Sequence, residues 1–327
     1  MKRIRPGGYR RTIVIFLVAL VAILGVGCQS DFERREWTAV PAEDMERLLD
    51  LYDLERQLGW TRELTSPDYG GREAGTEYED LAGDYLVEQL QALGLAPWRE
   101  VGFEDYRHTF DLPRGAEPGE NIIAVLPGES EDNYLLIGAH YDHIGIVDGV
   151  LHPGADDNAV GTATVLELAH IFCESELTPE LSIVFVFFGG EEKGLIGSQA
   201  LAEHLVDLGL DDQVMLLNLD VIAGASGDTL VIFDGGQRRN RVWAEKALEE
   251  AVASGVKAVV SDRLAGGVDS MRFTEVDMPA ITLVWGELRA DHPYLHQPTD
   301  TFENLNREII ELATRAAIRI AWTYAMK

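Results

Sequence analysis

Cysteine is nearly missing from this chain: Cys28 and Cys173 are the only two in 327 residues. A disulfide-stapled scaffold is therefore excluded. Basic residues are also scarce, with 27 Lys and Arg against 56 Asp and Glu and a formal net charge of −29. Phosphates demand a basic footprint, so nucleic acid is excluded as a partner. Anionic lipid is an equally poor match for the folded domain, and most of the acids serve solubility. The apolar run Ile13–Val26 is shorter than the roughly 20 residues a spanning helix needs. Three motifs are absent as well: G-x-S-x-G for a serine hydrolase, H-E-x-x-H for a one-zinc protease and G-x-x-x-x-G-K-[ST] for phosphate binding. No repeat, low-complexity block or internal linker interrupts residues 41–327.

The opening "MKRIRPGGYRR" carries five positive charges and no acid, and the short apolar run with small residues follows it. That order describes an export signal over 1–27, and its removal takes the net charge to −34. "LGVGC" resembles a bacterial lipobox, although Gly25 stands where leucine is usual and Leu24 lies one step further out. The resemblance implies acylation of Cys28 and a lipid anchor to a bacterial envelope membrane, at the outer membrane or the periplasmic face. Gln29 is not the aspartate associated with inner-membrane retention. Residues 28–40 are polar and aperiodic, which suits a tether. Cys173 falls in a helical pattern and reads as a small buried apolar residue. That leaves no cysteine placed to act as a nucleophile.

Residues 41–327 read as one domain. "PAEDMERLLDLYDLERQLGW" has helical spacing behind a proline, and "GGREAGTEYEDLAGDYLVEQLQALGL" gives a turn and a second amphipathic helix. The runs "NIIAVLPG", "NYLLIGAH", "LSIVFVFFGG", "VMLLNLD", "TLVIFDGG" and "AITLVWG" then read as strands, and 158–172, 195–208, 240–254 and 306–325 as helices. Strands apolar on both faces need cover on both sides. The expected fold is α/β, a three-layer sandwich with a central, largely parallel but mixed sheet and helices on both faces.

In such folds ligands collect at the carboxyl ends of strands. His140 and Asp142 end one strand, Glu191 and Glu192 another, and Asp220 a third; "GADDNAVG" holds Asp156 and Asp157, and "HQPTDT" holds His296. Adjacent carboxylates repel and seek a proton or a cation. Imidazoles and carboxylates without thiolates suit zinc, with manganese or cobalt as alternatives. The inventory exceeds one three-ligand zinc site, so two ions sharing a bridging aspartate account for it better.

"GAHYDHIG", "GADDNAVG", "FFGGEEKGLIGS", "LNLDVIA" and "HQPTDT" occur in the order and approximate spacing of the co-catalytic two-zinc aminopeptidases, metallopeptidase family 28, which this chain resembles from "SPDYGGREAGT" to its end. The resemblance implies a zinc exopeptidase acting on peptide or aminoacyl substrates. It places His140 and Asp220 on one zinc, Glu192 and His296 on the other, and Asp157 between them. Glu191 matches the general base and Asp142 the acid that orients His140. His143 and His292 fall off the matching positions and read as pocket-wall or surface residues, and Asp156 as a supporting acid. One departure is "VDSMRF", which keeps Asp269 and Phe273 but has Ser270 where family members often have a histidine, in a region that lines the substrate pocket in the family. The rival readings are a single-zinc glutaminyl cyclase, an enzyme cleaving another amide, and a non-catalytic surface lipoprotein on the same fold.

Overall fold

The computed structural model describes residues 36–113 and 117–327. The export signal and Cys28 lie outside the described residues. Among the described residues no helix is long and apolar enough to cross a membrane.

The run LSIVFVFF forms β6 (Leu181–Phe188), and every residue in it is buried. Leu181, Ile183, Phe185 and Phe187 enter one apolar layer, while Val184, Val186 and Phe188 enter the other. This is the period of two expected of a strand covered on both faces. β3 (Ser130–His140) and β7 (Val214–Leu219) divide their side chains in the same way.

The other strands are β1 (Arg107–Phe110), β2 (Gly119–Leu126), β4 (Gly145–Val147), β5 (Val150–His152), β8 (Thr229–Phe233), β9 (Lys257–Ser261) and β10 (Ala280–Trp285). Of the ten strands among the described residues, eight form one mixed sheet in the order β1-β2-β6-β3-β7-β10-β8-β9. Its centre, β6-β3-β7-β10, is parallel, and antiparallel pairs occur at β1-β2, β2-β6 and β10-β8. β4 and β5 form a separate hairpin.

Helices α1 (Ala42–Leu51), α2 (Leu54–Leu64), α3 (Glu77–Ala92), α4 (Val160–Glu174), α6 (Arg238–Ala253) and α8 (Arg307–Ala325) bury their apolar residues in the larger layer. Helices α5 (Ile196–Asp207) and α7 (Ser270–Glu275) cover the opposite face with Leu201, Leu205 and Phe273.

Three features depart from the sequence reading. The single helix expected after Pro41 is two, because Asp53 leaves the helix to accept the N–H groups of Glu55 and Arg56 as an N-cap. The break is fixed by tertiary contact: the Asp53 N–H and the Arg56 guanidinium both bind Glu167, which is buried on α4. β1, the β4-β5 hairpin and β9 are short strands that no apolar run announces. Finally, Trp37, within the span read as a tether, stacks on Tyr324 and meets Trp243 edge-on.

Candidate metal centre

Neighbouring strands of a sheet lie about 4.8 Å apart, so residues at the same end of adjacent parallel strands come within reach of one another. β6, β3 and β7 are such neighbours. His140 is the last residue of β3, Asp220 directly follows β7, and Glu191 and Glu192 follow the Gly-Gly turn after β6. Asp157 arrives from the irregular turn Ala155–Ala159 before α4, where its φ/ψ of −117°/89° is not helical and its peptide to Asn158 is cis. His296 stands in the loop after β10 at φ 57°, a left-handed conformation uncommon for a non-glycine residue.

The five residues expected as ligands converge. His140 Nε2 lies 3.1 Å from Asp157 Oδ1 and 3.5 Å from Asp220 Oδ1. His296 Nε2 lies 3.0 Å from Asp157 Oδ2 and 3.5 Å from Glu192 Oε2. Asp157 thus turns one oxygen toward each histidine. Burial opposes its charge, but His140, His296 and His143 hold its carboxyl well below the usual range. His140, Asp157 and Asp220 could hold one cation, and His143, Asp157 and Glu192 another, each set offering ligand atoms within 4.8 Å of one another.

His143 is a correction. It was expected as a wall or surface residue, yet it is fully buried, with Nδ1 2.9 Å from Glu192 Oε1. The available signal was the second histidine of "HYDH"; an extended chain would point it away from His140, but the backbone leaves the strand after His140. Gly154 makes room for it: φ is 58°, and a Cβ there would lie 2.4 Å from the His143 ring and from the Asp157 carbonyl oxygen.

Asp142 also differs from expectation. His140 Nδ1 is 3.1 Å from the Asp142 carbonyl oxygen but 3.8 Å from its carboxylate. That carboxylate reaches across to the end of β6, where it accepts the N–H groups of Glu191 (3.0 Å) and Glu192 (3.3 Å). It positions the two glutamates, and the backbone of Asp142 orients the histidine.

A supporting ring surrounds these groups. Asp300, unremarked within "HQPTDT", accepts the N–H groups of Asp156 and Asp157 at 2.9 and 3.1 Å. Asp156 takes the supporting role expected of it, accepting from the Ala223 and Gly224 N–H groups and pairing with His292 Nδ1 at 2.5 Å. The other His292 nitrogen faces the Trp285 carbonyl, also at 2.5 Å. Burial disfavours the imidazolium, but Asp156 and that carbonyl raise its pKa to about 9. His292 is therefore a buried partner of Asp156, neither wall nor surface. Arg72, fully buried, donates to the carbonyls of Tyr141, Leu64, Pro153 and Gly154.

The donor set fits divalent cations. Asp142, Asp157, Asp220 and Asp269 are buried beside Glu191 and Glu192, and among the described residues His143 Nδ1 and Glu192 Oε1 lack hydrogen-bond partners. Burial pushes the Glu191 carboxyl up to about 10; His140 opposes this, and Asp269, Asp220 and Asp157 add to it. Bound cations act in the reverse direction, favouring the carboxylate.

The cleft above these residues holds about 150 Å³ and is walled by Val221, Leu264, Val268, Leu288 and Leu295 with Gly266 and Gly267. Ser270 is not part of that wall; it is buried and shares a 2.6 Å hydrogen bond with Thr282. A larger hollow of about 620 Å³ between α1, α6 and α8 shares no lining residue with the centre.

The profile of peptidase family M28 matches residues 121–321. The chain belongs to peptidase family M28. Among related M28 sequences is aminopeptidase YwaD of Bacillus subtilis, 26% identical over 207 residues, which are 60% of this chain and 43% of YwaD. This chain therefore matches less than half of that protein's length. The M28 fold is shared with the LapA aminopeptidase of Legionella pneumophila (TM-score 0.73, 22% identity, 90% of this chain and 78% of that one). It is also shared with the glutaminyl cyclase of Fimbriiglobus ruber (TM-score 0.70, 20% identity, 84% and 96%).

Proposed function

We propose that this chain is a zinc-dependent aminopeptidase with two ions, exported and held at a bacterial membrane by a lipid on Cys28. The observation that carries the reading is the division of Asp157, with one oxygen toward His140 and the other toward His296. His140, Asp157 and Asp220 would hold one zinc; Asp157, Glu192 and His296 the other. Bound zinc polarises a carbonyl and lowers the pKa of water from 15.7 to about 7. Glu191, free of the ligand set, takes the proton of the attacking water and delivers it to the departing amine. Asp142 keeps Glu191 and Glu192 in register through their backbone N–H groups. The cleft wall of valine and leucine side chains suits a substrate with an apolar N-terminal residue.

Two substitutions test this. Glu191→Gln should keep both ions while kcat falls about 10²–10⁴-fold, the range for losing a general base. Glu192→Gln should lower zinc occupancy, with partial recovery in excess zinc. Metal analysis and kinetics on aminoacyl substrates decide it: metal loss in Glu191→Gln and retention in Glu192→Gln would reverse the roles. Uptake of one zinc, with pyroglutamyl formation in place of peptide cleavage, would favour the cyclase reading. Turnover unaffected by either change would remove the enzyme reading altogether.

A further inference from the structure

His143 is the residue of the centre that a five-ligand set leaves without a task. Its imidazole is fully buried, and neither ring nitrogen has a hydrogen-bond partner among the described residues. Nδ1 nevertheless approaches Glu192 Oε1 to 2.9 Å, and that oxygen also lacks a hydrogen bond. Two polar atoms this close that are not aligned to bond each other are instead both able to face a third centre. Asp157 Oδ2 borders the same space, 3.8 Å from His143 Nδ1 and 3.0 Å from His296 Nε2. The His143 and His296 rings flank it with centroids 6.1 Å apart. An unpaired buried imidazole costs stability unless something compensates it, and a cation held jointly with Glu192 does so.

We infer that His143 Nδ1 is a further protein ligand of the second cation, beside Asp157, Glu192 and His296. This rests on the two-ion reading given above. It makes the two positions unequal. Two imidazoles and two carboxylates form a closed set of four around the second ion, whereas His140, Asp157 and Asp220 leave the first with a position for water or substrate, and closed sets belong to ions that are retained. Under limited chelation one ion should therefore leave readily and the other stay.

The test is zinc uptake by the metal-free full-length chain in competition with a chromophoric chelator. His143→Asn places a polar amide near the Nδ1 position that is a poor zinc ligand; His143→Ala provides a second variant should the first misfold. His140→Asn reports on the other position. With His143 a ligand, both His143 variants lose affinity for one equivalent by at least about tenfold, keep the other equivalent, and no longer retain an ion under limited chelation. X-ray absorption should likewise count three imidazoles over the two ions in the wild type and two in His143→Asn. Wild-type affinity and imidazole count in His143→Asn would overturn the inference and leave His143 as a buried residue outside the ligand set. If the wild type takes one ion, lost in His140→Asn and untouched by His143→Asn, both readings fail. One ion lost with His143 and kept without His140 would preserve the ligand and remove only the first ion, the one at His140.

Discussion

Replacing Arg72 with lysine should loosen the fold and the metal centre together. The guanidinium donates through Nε to the Tyr141 carbonyl at 2.7 Å, through Nη1 to Leu64 at 2.7 Å and Pro153 at 2.8 Å, and through Nη2 to Gly154 at 2.9 Å. These four carbonyls lie on three segments. Tyr141 sits between His140 and Asp142, while Pro153 and Gly154 lead directly into the turn of Asp157. Arg72 also places a positive charge among Asp142, Asp300, Asp157 and Glu192. A planar fork with five donors can serve four carbonyls from three directions, whereas an ammonium is a single point with three N–H groups.

In Arg72→Lys about two buried carbonyls lose their partner at roughly 1–3 kcal/mol each, a loss of about 2–6 kcal/mol. Domains of this kind hold about 5–15 kcal/mol in all, so the lysine variant should fold but be weakened. Alanine, which removes all four bonds and among the described residues leaves only Gly154 with another donor, the Ala159 N–H, should not yield folded protein. Urea unfolding of metal-free protein measures the first effect as a lower midpoint at constant slope. Zinc competition measures the second, an expected loss of about 10–100-fold, because Arg72 positions the backbone of two ligand segments. A lysine variant within about 0.5 kcal/mol of the wild type, with unchanged zinc affinity, would refute the reasoning.

Glu79 gives a pH test: it is buried, Oε1 has no partner, and desolvation raises its pKa to about 8 against the stabilising Gly75 N–H. The native state then holds the proton more tightly than the unfolded chain, so stability falls as pH rises from 4.5 to 8, by up to about 5 kcal/mol. Glu79→Gln keeps an acceptor for Gly75 and cannot ionise; its stability relative to wild type should rise across that window in urea melts, and a difference independent of pH would contradict the assignment. Asp142→Asn leaves one acceptor oxygen for two N–H groups, so zinc titration should show about 10–100-fold weaker binding, and wild-type titration would count against its positioning role. Cys28→Ser should move the protein to the soluble fraction with its catalytic rate intact, since stable attachment takes two acyl chains or more; unchanged membrane fractionation would sink the anchor.

The strands β2, β3, β6, β7, β8 and β10 and the helices α4, α5, α6 and α8 that border them were legible because an apolar run of strand length in such an alternation has few other places to go. His140, Asp157, Glu191, Glu192, Asp220 and His296 were legible because the fold places the ends of parallel strands together and each residue falls in an ordered motif. What sequence left undecided depended on where a side chain or a backbone group turns once the ends have met. For Asp142 the sequence pattern points to His140, whereas the packing of β6 against β3 brings two further N–H groups, those of Glu191 and Glu192, to its carboxylate. His292 and Asp300 carry no pattern of their own; they matter because the loop after β10 folds over the turn of Asp156 and Asp157. Arg72 looks like one surface charge among many until three segments converge on it and turn four carbonyls toward its guanidinium. His143 shows the same limit most plainly: local spacing separates it from His140, but the chain bends after the strand and Gly154 yields the space of a side chain, so the imidazole is buried against Glu192. Local pattern specifies which groups are present at an edge, whereas the direction each one faces is set by contacts between residues far apart in the chain.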